Sequence, residues 1–304
     1  MSGGIEAEEL YAALEKSAHL VGAPFSREKV WPILSAYRDG FDTGGAILSL
    51  QAGERAEEVE YSVQVSPGVG DPYARALAGG FVPETDHPVA TLLQDIKERV
   101  PTSEYYIDCG IVGGFKKIYA NFPHDPRRVS DLSDIASMPP AVAGNSDFFG
   151  RYGLQDVVLI GVDYRRRTMN LYFQLPAGTA GDLDPKTVLA MLRETGMREP
   201  DEDLLAYAGK AYRVYATVGW DSPEIRRISF APSPRRSLDL SELPARLEPG
   251  FEEFMRNTAH TYDGELINAS AAKWSPDSEF LDLAAYYQIS PQHLKALTAA
   301  EAQG

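Results

Sequence analysis

The stretch EYYIDCGIVGGFKKIYANF, residues 104–122, decides the fold. Two segments rich in β-branched and aromatic residues, 104–112 and 115–122, meet at Gly113-Gly114. A glycine pair between two such segments suits the two-residue primed turn of a β-hairpin. We therefore predict two antiparallel strands joined at this pair.

The same kind of hairpin recurs along the chain, each time after helical segments. Between residues 57 and 65, valine and tyrosine alternate with glutamate, serine and glutamine, the pattern of a strand with one apolar face. The predicted strands are residues 46–51, 57–65, 104–112, 115–122, 156–163, 167–174, 211–218, 224–231, 265–273 and 279–288. The predicted helices are residues 6–21, 26–37, a short one at Asp71-Pro72, 86–100 with Asp86 as its cap, 140–152, 184–196, 203–210, 251–260 and one begun by Ser290-Pro291.

The order helix, helix, strand, strand therefore recurs about five times, with a period of roughly 55 to 60 residues. A sheet of about ten antiparallel strands removes its exposed edges by closing on itself. We predict an α+β fold, a closed barrel with helices around its outside and a solvent-filled lumen. No linker rich in proline, glycine or serine divides the chain, so we expect residues 1–304 to form a single domain.

Composition and charge exclude several classes of protein. The chain has 304 residues, 44% of them hydrophobic and 24% charged, and no apolar run approaches the ~20 residues of a membrane span. Its 44 acidic and 29 basic residues give a net charge of −15, which disfavours nucleic acid and anionic lipid as partners. The N-terminal sequence lacks the pattern of a secretory signal, and a single cysteine fits a reducing compartment. We expect a cytoplasmic protein that binds neither nucleic acid nor membrane.

The histidines and the cysteine give no sign of a metal or nucleophile site. The histidines are His19, His87, His124, His260 and His293. They are scattered without the spacing of metal ligands, and we expect each on the surface or at a helix cap. Cys109 has no histidine near it in the sequence, so we expect a buried and unreactive thiol.

Strand parity predicts which side chains face the lumen. Helices around a barrel require apolar side chains on its outside, so the polar face of each strand points inward. Met169, Leu171 and Phe173 alternate with threonine, asparagine and tyrosine, for example. The lumen should therefore collect polar, cationic and tyrosine side chains.

Three cations from different strands, Lys117, Arg166 and Arg227, would face this lumen together. Desolvated cations cost several kcal/mol each unless an anion compensates them. A bound diphosphate is one such anion, with Asn170 and Tyr215 adding hydrogen bonds. A structural network with lumen carboxylates is the other possibility. Its members would be Glu58, Glu60 and Asp282.

Tyrosines of the same parity have two possible roles. They are Tyr119, Tyr172, Tyr215 and Tyr286. Their ring faces can hold an aromatic substrate and stabilise a carbocation, by roughly 0.5 to 2 kcal/mol each. Tyrosine is also common in strands, so packing alone is the alternative for any one of them.

Seven short motifs, in order over essentially the whole chain, carry a family resemblance. They are GDPYA (70–74), GGFKK (113–117), SMPPAV (137–142), RYGL (151–154), DY (163–164), NLYF (170–173) and AYY (285–287). Together they resemble the bacterial soluble aromatic prenyltransferases, and the branch acting on dihydroxynaphthalenes, flaviolin and phenazines more than the branch acting on 4-hydroxyphenylpyruvate. The resemblance implies the ABBA barrel of five ααββ repeats, the fold already predicted from the strand count.

The resemblance also implies a reaction. It is transfer of a dimethylallyl or geranyl group from its diphosphate to an aromatic carbon by Friedel-Crafts substitution, in an enzyme with no tightly held cofactor that works as a monomer. The implied diphosphate ligands are Lys117, Arg166 (where a lysine is usual), Asn170, Tyr215 and Arg227, with Lys273 as a further candidate. The implied aromatic-substrate pocket comprises Ser49, Tyr119, Val158, Leu159, Tyr212, Arg213, Ala231, Ala284 and Tyr286. The candidate catalytic residues are Tyr119 and Tyr215, at positions that the resemblance assigns to the site, and Asp282, where this chain departs from the family.

One departure from the family pattern concerns magnesium. Where magnesium-using members carry an aspartate, this chain has Glu60, followed by Ser62. The extra methylene of glutamate moves its oxygens by more than ~1 Å, and magnesium tolerates little error in its octahedron. We therefore predict turnover without magnesium.

A second departure concerns the final diphosphate lysine of the family, which is Asp282 in this chain. Either Lys273, on the preceding strand, reaches the diphosphate instead, or Asp282 accepts the proton that the aromatic ring loses. Both readings stay open at the level of sequence.

A third departure is Arg213, which replaces a small polar residue of the family pocket. Its guanidinium suits an acceptor that carries a carboxylate or an enolate, such as a dihydrophenazine carboxylate or a hydroxynaphthoquinone. A salt bridge to Glu58 or Glu60 is the alternative.

Three functions therefore remain to be compared. The first is dimethylallyl transfer to an acidic or phenolic multi-ring acceptor, and the second is geranyl transfer to a hydroxynaphthalene. The third, from a different class, is a carrier that binds isoprenoid or polyketide ligands without chemistry.

Overall fold

Ten antiparallel strands close into a barrel in the computed structural model of this chain, which describes residues 4–41, 44–52, 58–176, 178–290, 293–295 and 297. The strands are β1 (Ala46–Ala52), β2 (Glu60–Val65), β3 (Glu104–Gly110), β4 (Gly114–Asn121), β5 (Arg127–Arg128), β6 (Asp156–Asp163), β7 (Thr168–Gln174), β8 (Ala211–Gly219), β9 (Arg227–Pro232), β10 (Arg235–Arg236), β11 (Ile267–Trp274) and β12 (Glu279–Gln288). The two-residue strands β5 and β10 only extend the margins of β6 and β11. The other ten form a ring in which β9 pairs with β11 and β12 pairs with β1, so the predicted barrel is confirmed.

Short helices precede the strand pairs. They are α1 (Ala7–Leu20), α2 (Arg27–Tyr37), α3 (Pro72–Ala78), α4 (Val89–Arg99), α5 (Val129–Ser133), α6 (Pro140–Gly144), α7 (Ser146–Arg151), α8 (Pro185–Glu194), α9 (Glu202–Ala208) and α10 (Pro249–Asn257). Two predicted starts are confirmed by their caps: the carboxylate of Asp71 accepts the N–H of Tyr73 at 2.8 Å, and that of Asp184 accepts the N–H of Lys186 at 2.9 Å. Pro291, in the predicted last helix, and residues 53–57, in the predicted first turn, lie outside the described residues.

Two helix predictions are corrected. The predicted helix 140–152 is divided into α6 and α7 at Asn145, whose side-chain amide donates to the carbonyls of Ala141 and Pro223 at 2.7 Å each. Asp86 does not cap α4, because Nδ1 of His87 accepts the N–H of Val89 instead, at 3.1 Å.

The turn between β3 and β4 also differs from the prediction. Gly110 pairs with Gly114, so three residues, not two, connect the strands. Gly114, the first residue of β4, adopts a φ of 73°, a conformation that favours glycine. The carboxylate of Glu58 accepts the N–H groups of Val112 and Gly113 at 2.7 Å each and so fixes the longer turn.

The apolar core lies between the sheet and the helices. Met169, Leu171 and Phe173 of β7 are fully buried on the outer face, in one cluster with helix residues such as Val188 of α8. The predicted orientation, with apolar side chains outside and polar side chains in the lumen, is thereby confirmed. Among the described residues, no helix has the length and apolar character needed to cross a membrane.

Four β-bulges interrupt the strict alternation of the strands, at β1/β12, β3/β4, β6/β7 and β8/β9. In β4 the extra residue is Lys116, because Lys117 pairs with Asp108 and Phe115 with Cys109. In β8 the extra residue is Tyr212. A bulge allows two consecutive side chains to point to the same face, which strict alternation forbids.

Candidate active site

Two cavities fill the lumen and share a wall. One, of about 260 Å³, is lined mostly by charged and polar side chains, and we name it the charged cavity. The other, of about 480 Å³, is lined largely by tyrosines and apolar groups, and we name it the aromatic cavity. Ile47, Ser62, Tyr119 and Tyr172 line both. A ligand with a charged head and an apolar body can therefore extend from one cavity into the other.

Of the described residues, six cations and four carboxylates line the charged cavity, an excess of two positive charges. The cations are Lys116, Lys117, Arg165, Arg166, Arg227 and Lys273. The carboxylates are Glu60, Asp108, Asp163 and Asp282. Since the chain as a whole carries −15, this excess is a local feature of the lumen.

The three lysines are each held by carboxylates. The ammonium of Lys116 lies 2.7 Å from a carboxylate oxygen of Glu58 and 2.6 Å from one of Glu60. That of Lys117 lies 3.1 Å from Oδ2 of Asp108, an ion pair without hydrogen-bond geometry, and Oδ1 of Asp108 accepts the Ser62 hydroxyl at 2.9 Å. The carboxylates of the predicted network are therefore engaged, but by Lys116 and Lys273. Of the three cations predicted for it, only Lys117 has an ion pair among the described residues, and its partner is Asp108.

Lys273 and Asp282 contact each other. They are the two residues considered as substitutes for the final diphosphate lysine of the family, one as a diphosphate ligand and the other as a proton acceptor. Strands β11 and β12 pair Lys273 with Phe280, which places Asp282 diagonally across on the same inner face. The ammonium and the carboxylate lie 2.6 Å apart. Each of the two groups therefore sets the charge and the orientation of the other.

The guanidinium groups of Arg166 and Arg227 are different. Neither makes an ion pair with any carboxylate in the part of the chain that the structure describes. Arg227 is half-buried on β9, whereas Arg166 lies in the β6–β7 turn, exposed at the rim of the cavity. Its backbone N–H donates to Oδ1 of Asp163 at 2.7 Å, which fixes the turn.

The burial and close pairing of these groups shift their pKa values. Burial would raise the pKa of Glu60, but Lys117 and Lys116 outweigh burial and lower it to about 2. Burial would lower the pKa of Lys117, but Asp108 and Glu60 reverse the effect and raise it. Burial also lowers the pKa of Lys273 below its usual range, against the opposing effect of Asp282. Glu60 and Lys117 are therefore both charged at neutral pH.

Three tyrosines form a ladder that runs from the wall between the cavities, where Tyr119 and Tyr172 lie, along the charged cavity to Tyr215. The rings of Tyr172 and Tyr215 stack with centroids 4.5 Å apart, and Tyr119 meets Tyr172 edge to face at 6.0 Å. Burial raises the pKa of all three phenols. They are therefore neutral and present ring faces and hydroxyl groups, not phenolates.

The aromatic cavity contains the predicted Tyr119, Leu159, Tyr212, Arg213 and Tyr286. The bulge in β8 explains how Tyr212 and Arg213, which are consecutive, both reach it. The Arg213 guanidinium lies 5.0 Å from the centroid of the Tyr212 ring, a cation-π contact. Glu58 and Glu60 hold Lys116 instead, so the predicted alternative of a salt bridge from either to Arg213 is not present.

Other predicted pocket residues lie elsewhere. Ser49 and Ala284, which pair across β1 and β12, line the charged cavity and not the aromatic one. Val158 is the extra residue of the β6 bulge and, like Ala231, lines neither cavity in the described part of the chain.

Several residues that line the two cavities were not predicted from the sequence. Lys116 was hidden by the bulge in β4, since alternation assigns the inner face to Lys117 alone. Asp108 was detectable, because it has the parity of the inward Tyr106 on β3. His293 lies at a helix cap, as predicted, because its backbone N–H and its Nδ1 both contact the Ser290 hydroxyl; that it also lines the aromatic cavity was not predicted.

The described residues contain no group of three or more histidine, cysteine or acidic side chains placed to hold a metal ion. At the position where magnesium-using members carry their aspartate, the carboxylate of Glu60 is engaged by the Lys116 ammonium, and the Ser62 hydroxyl donates to Asp108. This donor set does not fit magnesium, which requires free oxygen ligands in an octahedron.

The comparisons with known proteins agree with this geometry. Residues 5–298 match the family described as Aromatic prenyltransferase Orf2. The chain is 39% identical to a flaviolin linalyltransferase of Streptomyces virginiae over 95% of this chain and 94% of that protein. It is 35% identical to a 5,10-dihydrophenazine-1-carboxylate 9-dimethylallyltransferase of Streptomyces anulatus, over 98% and 99%. It is 36% identical to a furaquinocin biosynthesis prenyltransferase of Streptomyces sp. strain KO-3988, over 93% and 91%.

A solved structure supports the fold. The 6-dimethylallyltryptophan synthase from Micromonospora olivasterospora, in complex with DMASPP and Trp, superposes with a TM-score of 0.55 over 95% of this chain and 100% of that chain. At 13% identity this likeness concerns the barrel alone. With the family match over almost the whole length, the resemblance seen in the sequence is confirmed: the chain belongs to the aromatic prenyltransferase family and is an aromatic prenyltransferase.

Proposed function

We propose that this enzyme transfers a dimethylallyl group from its diphosphate to an aromatic carbon of a multi-ring acceptor that is phenolic or acidic. The observation that carries the proposal is the junction of the two cavities. A cavity with excess positive charge adjoins an aromatic one, and Tyr119 and Tyr172 of the tyrosine ladder lie between them. This is the arrangement that a diphosphate head, an allyl group and a flat ring require in sequence.

The diphosphate would lie among the cations of the charged cavity. Arg166 and Arg227, which lack carboxylate partners in the described residues, supply forked donors, and Lys117 and Lys273 add point charges. The side chain of Asn170 is already engaged, since its Oδ1 accepts the Thr217 hydroxyl at 2.8 Å, which leaves its amide N–H groups to donate.

The chemistry would begin with cleavage of the bond between C1 of the allyl group and oxygen, with the electron pair leaving on the diphosphate. Cations stabilise the departing diphosphate, and the faces of Tyr119, Tyr172 and Tyr215 stabilise the allyl cation. The ring carbon then attacks C1, and a base removes the ring proton to restore aromaticity. Asp282, which lines the charged cavity, is our candidate for that base.

We also propose that magnesium is not required. The Lys116 ammonium, held between Glu58 and Glu60, supplies a fixed positive charge where a metal would otherwise neutralise the diphosphate. Full turnover in EDTA supports this part of the proposal, and strict dependence on added magnesium contradicts it.

The decisive experiment is product formation from radiolabelled dimethylallyl diphosphate and a panel of hydroxynaphthalenes, hydroxynaphthoquinones and dihydrophenazine carboxylates, with and without chelator. Many turnovers with release of diphosphate support the proposal. Binding that saturates at one equivalent, without diphosphate release, would instead identify a carrier. The same panel with geranyl diphosphate tests the second candidate, geranyl transfer, which the 480 Å³ of the aromatic cavity favours by offering room for a longer chain.

Three coarser expectations accompany this function. We propose that residues 1–304 act as a single barrel domain, that the enzyme is monomeric and that it works in the cytoplasm. Sedimentation of the purified enzyme tests the second of these, with a dimer at micromolar concentration as the contrary result.

A further inference from the structure

We propose that Arg213 and His293 form an anion-binding subsite in the aromatic cavity, and that this subsite holds the carboxylate or enolate of the acceptor. The inference rests on the proposed function, since it concerns the second substrate of that reaction. It adds a residue, His293, and a charge requirement to a cavity that otherwise selects flat, apolar rings.

Arg213 is a cation without a counter-ion among the described residues. Its Nε atom is fully buried and finds no hydrogen-bond partner in the part of the chain that the structure describes. Its guanidinium forms no ion pair there either, and its contact with the Tyr212 ring, at 5.0 Å, leaves the in-plane N–H groups unused. A buried donor without a partner costs ~1 to 3 kcal/mol, and a bound anion removes that cost.

Contacts with Ser290 orient His293 so that its ring can donate a hydrogen bond into the same cavity. The Ser290 hydroxyl oxygen accepts the backbone N–H of His293 at 3.3 Å and lies 3.0 Å from Nδ1 of its ring. We assign the hydroxyl proton to the bond with Nδ1, which places the ring proton on Nε2. Because His293 lines the cavity, this assignment makes Nε2–H the donor available to a ligand.

The other ionisable groups around this subsite leave the anion's place open. Glu104 is occupied, since its Oε2 accepts the Tyr106 hydroxyl at 3.0 Å and the Asn121 amide at 3.1 Å. Burial lowers the pKa of His293, Glu104 opposes that effect, and Arg213 and His124 add to it. His293 is therefore neutral at pH 7 in the free enzyme and donates one hydrogen bond beside the permanent charge of Arg213.

The position of this subsite gives the enzyme an orientation rule. Arg213 and His293 line the aromatic cavity and not the charged one. A carboxylate bound there is separated from the cations that bind the diphosphate, so acceptor and donor do not compete. The ring that carries it is directed toward the Tyr119 and Tyr172 wall, where C1 of the donor would lie.

The test compares a dihydroxynaphthoic acid with its primary carboxamide, which has the same shape without the charge. In the wild type we expect a lower KM for the acid. Arg213→Gln should raise the KM of the acid about tenfold or more and that of the amide less than threefold, because only the acid loses a charge-assisted hydrogen bond. The KM of dimethylallyl diphosphate should not change.

Variants of His293 separate donation from packing. His293→Phe removes the donor and should raise the KM of the acid about threefold to tenfold. His293→Gln keeps a donor and should restore most of the loss. Arg193→Gln, which changes an exposed arginine paired with Glu199 far from the lumen, is the matched control and should leave both KM values unchanged.

Two results would overturn the subsite. Equal effects of Arg213→Gln on acid and amide contradict it, as does a His293→Phe variant whose KM for the acid is unchanged. If the wild type prenylates neither compound, the proposed function fails for this acceptor class. Equilibrium binding of acid and amide, measured by quenching of tryptophan fluorescence, then still decides the subsite, and equal Kd values for acid and amide in the wild type would exclude it.

Discussion

The lysines of the charged cavity differ from Arg166 and Arg227 in their partners and in the shape of their charged groups. Each lysine contributes a compact charge, and each is matched by a carboxylate within 3.1 Å. Arg166 and Arg227 are left without such partners in the described residues, and their planar forks suit the paired oxygens of a diphosphate. The carboxylates thus neutralise most of the lysine charge of the charged cavity, and the remaining positive charge favours an anionic ligand.

The pair of Lys273 and Asp282 yields the first prediction. If Asp282 takes the ring proton, Asp282→Asn should lower kcat about 10²-fold and leave the KM of the donor within about threefold. If Lys273 contacts the diphosphate, Lys273→Ala should raise the KM of the donor about tenfold. The variant loses a positive charge, and it also leaves the Asp282 carboxylate, 2.6 Å from that ammonium in the wild type, unpaired and repelling the diphosphate. Steady-state kinetics with a saturating acceptor measure both.

The two variants can refute each role separately. A normal kcat in Asp282→Asn would show that Asp282 is not the base. The pair of Lys273 and Asp282 would then act only through its charges on the binding of the donor. A normal donor KM in Lys273→Ala removes the lysine from diphosphate binding. Lys186→Ala, at an exposed position of α8, is the control for the loss of a lysine.

Glu60 yields the second prediction, which concerns pH. Its pKa is about 2 in the folded state against an ordinary value of 4.5, so its contribution to stability is complete above pH 4.5 and is lost as the pH falls toward 2. The shift is worth at most about 3 kcal/mol. Between pH 7 and pH 3.5 the free energy of unfolding should fall by about 1 kcal/mol more in the wild type than in Glu60→Gln, as measured by urea denaturation. Parallel losses in the two proteins would contradict the assignment.

At the scale of the element, β-bulges decide which side chains reach the lumen. Strand alternation predicted the inner face of β7 correctly, because no bulge interrupts the stretch from Thr168 to Tyr172. It failed at Lys116, because an extra residue shifts the parity of the strand at that point and leaves no mark in the sequence. Tyr212 was found only through the family resemblance, since parity excludes it beside Arg213.

The same limit explains the errors in the turns and caps. The glycine pair at residues 113 and 114 fits a two-residue turn, but the decisive group is the distant carboxylate of Glu58, which binds the backbone of a longer loop. Sequence pattern predicts which elements form, and long-range hydrogen bonds decide where they end. The strand count and the closure of the barrel were predictable, because they depend only on the number and spacing of apolar stretches.

Gly161 on β6 yields a prediction at this scale. It pairs with Tyr119 on β4, and a Cβ atom at Gly161 would lie 2.6 Å from Cε1 of that ring. Gly161→Ala should therefore push the Tyr119 ring from its place in the wall between the cavities and lower kcat/KM about tenfold, with the fold retained. Gly150→Ala on α7, where the new Cβ would meet only an ordinary contact at 3.7 Å, is the control. Unchanged kinetics in Gly161→Ala would contradict a rigid tyrosine wall.

At the scale of the molecule, the barrel reverses the usual distribution of residues. Its apolar strand faces point outward under the helices, and its lumen holds buried charge that a packed core would exclude. The chain carries −15 overall while one cavity carries a positive excess, so the fold confines attraction for an anion to one place. The closed ring of strands makes this possible, because all the described residues that line the charged cavity, except Arg165 and Arg166 in the β6–β7 turn, belong to one hydrogen-bonded sheet.

That closure yields the last prediction. Because β12 pairs with β1, separating any two neighbouring strands exposes two sheet edges, and we expect the barrel to unfold as one unit. Far-ultraviolet circular dichroism and the fluorescence of Trp31, Trp220 and Trp274 should then show coincident transitions. Inorganic diphosphate at 100 times its Kd should stabilise that single transition by about 2.7 kcal/mol, through binding to the folded state alone. Arg227→Gln should abolish most of this gain, whereas Arg193→Gln should keep it. Two separate transitions, or a diphosphate effect on only one probe, would show instead that part of the sheet folds apart from the donor site.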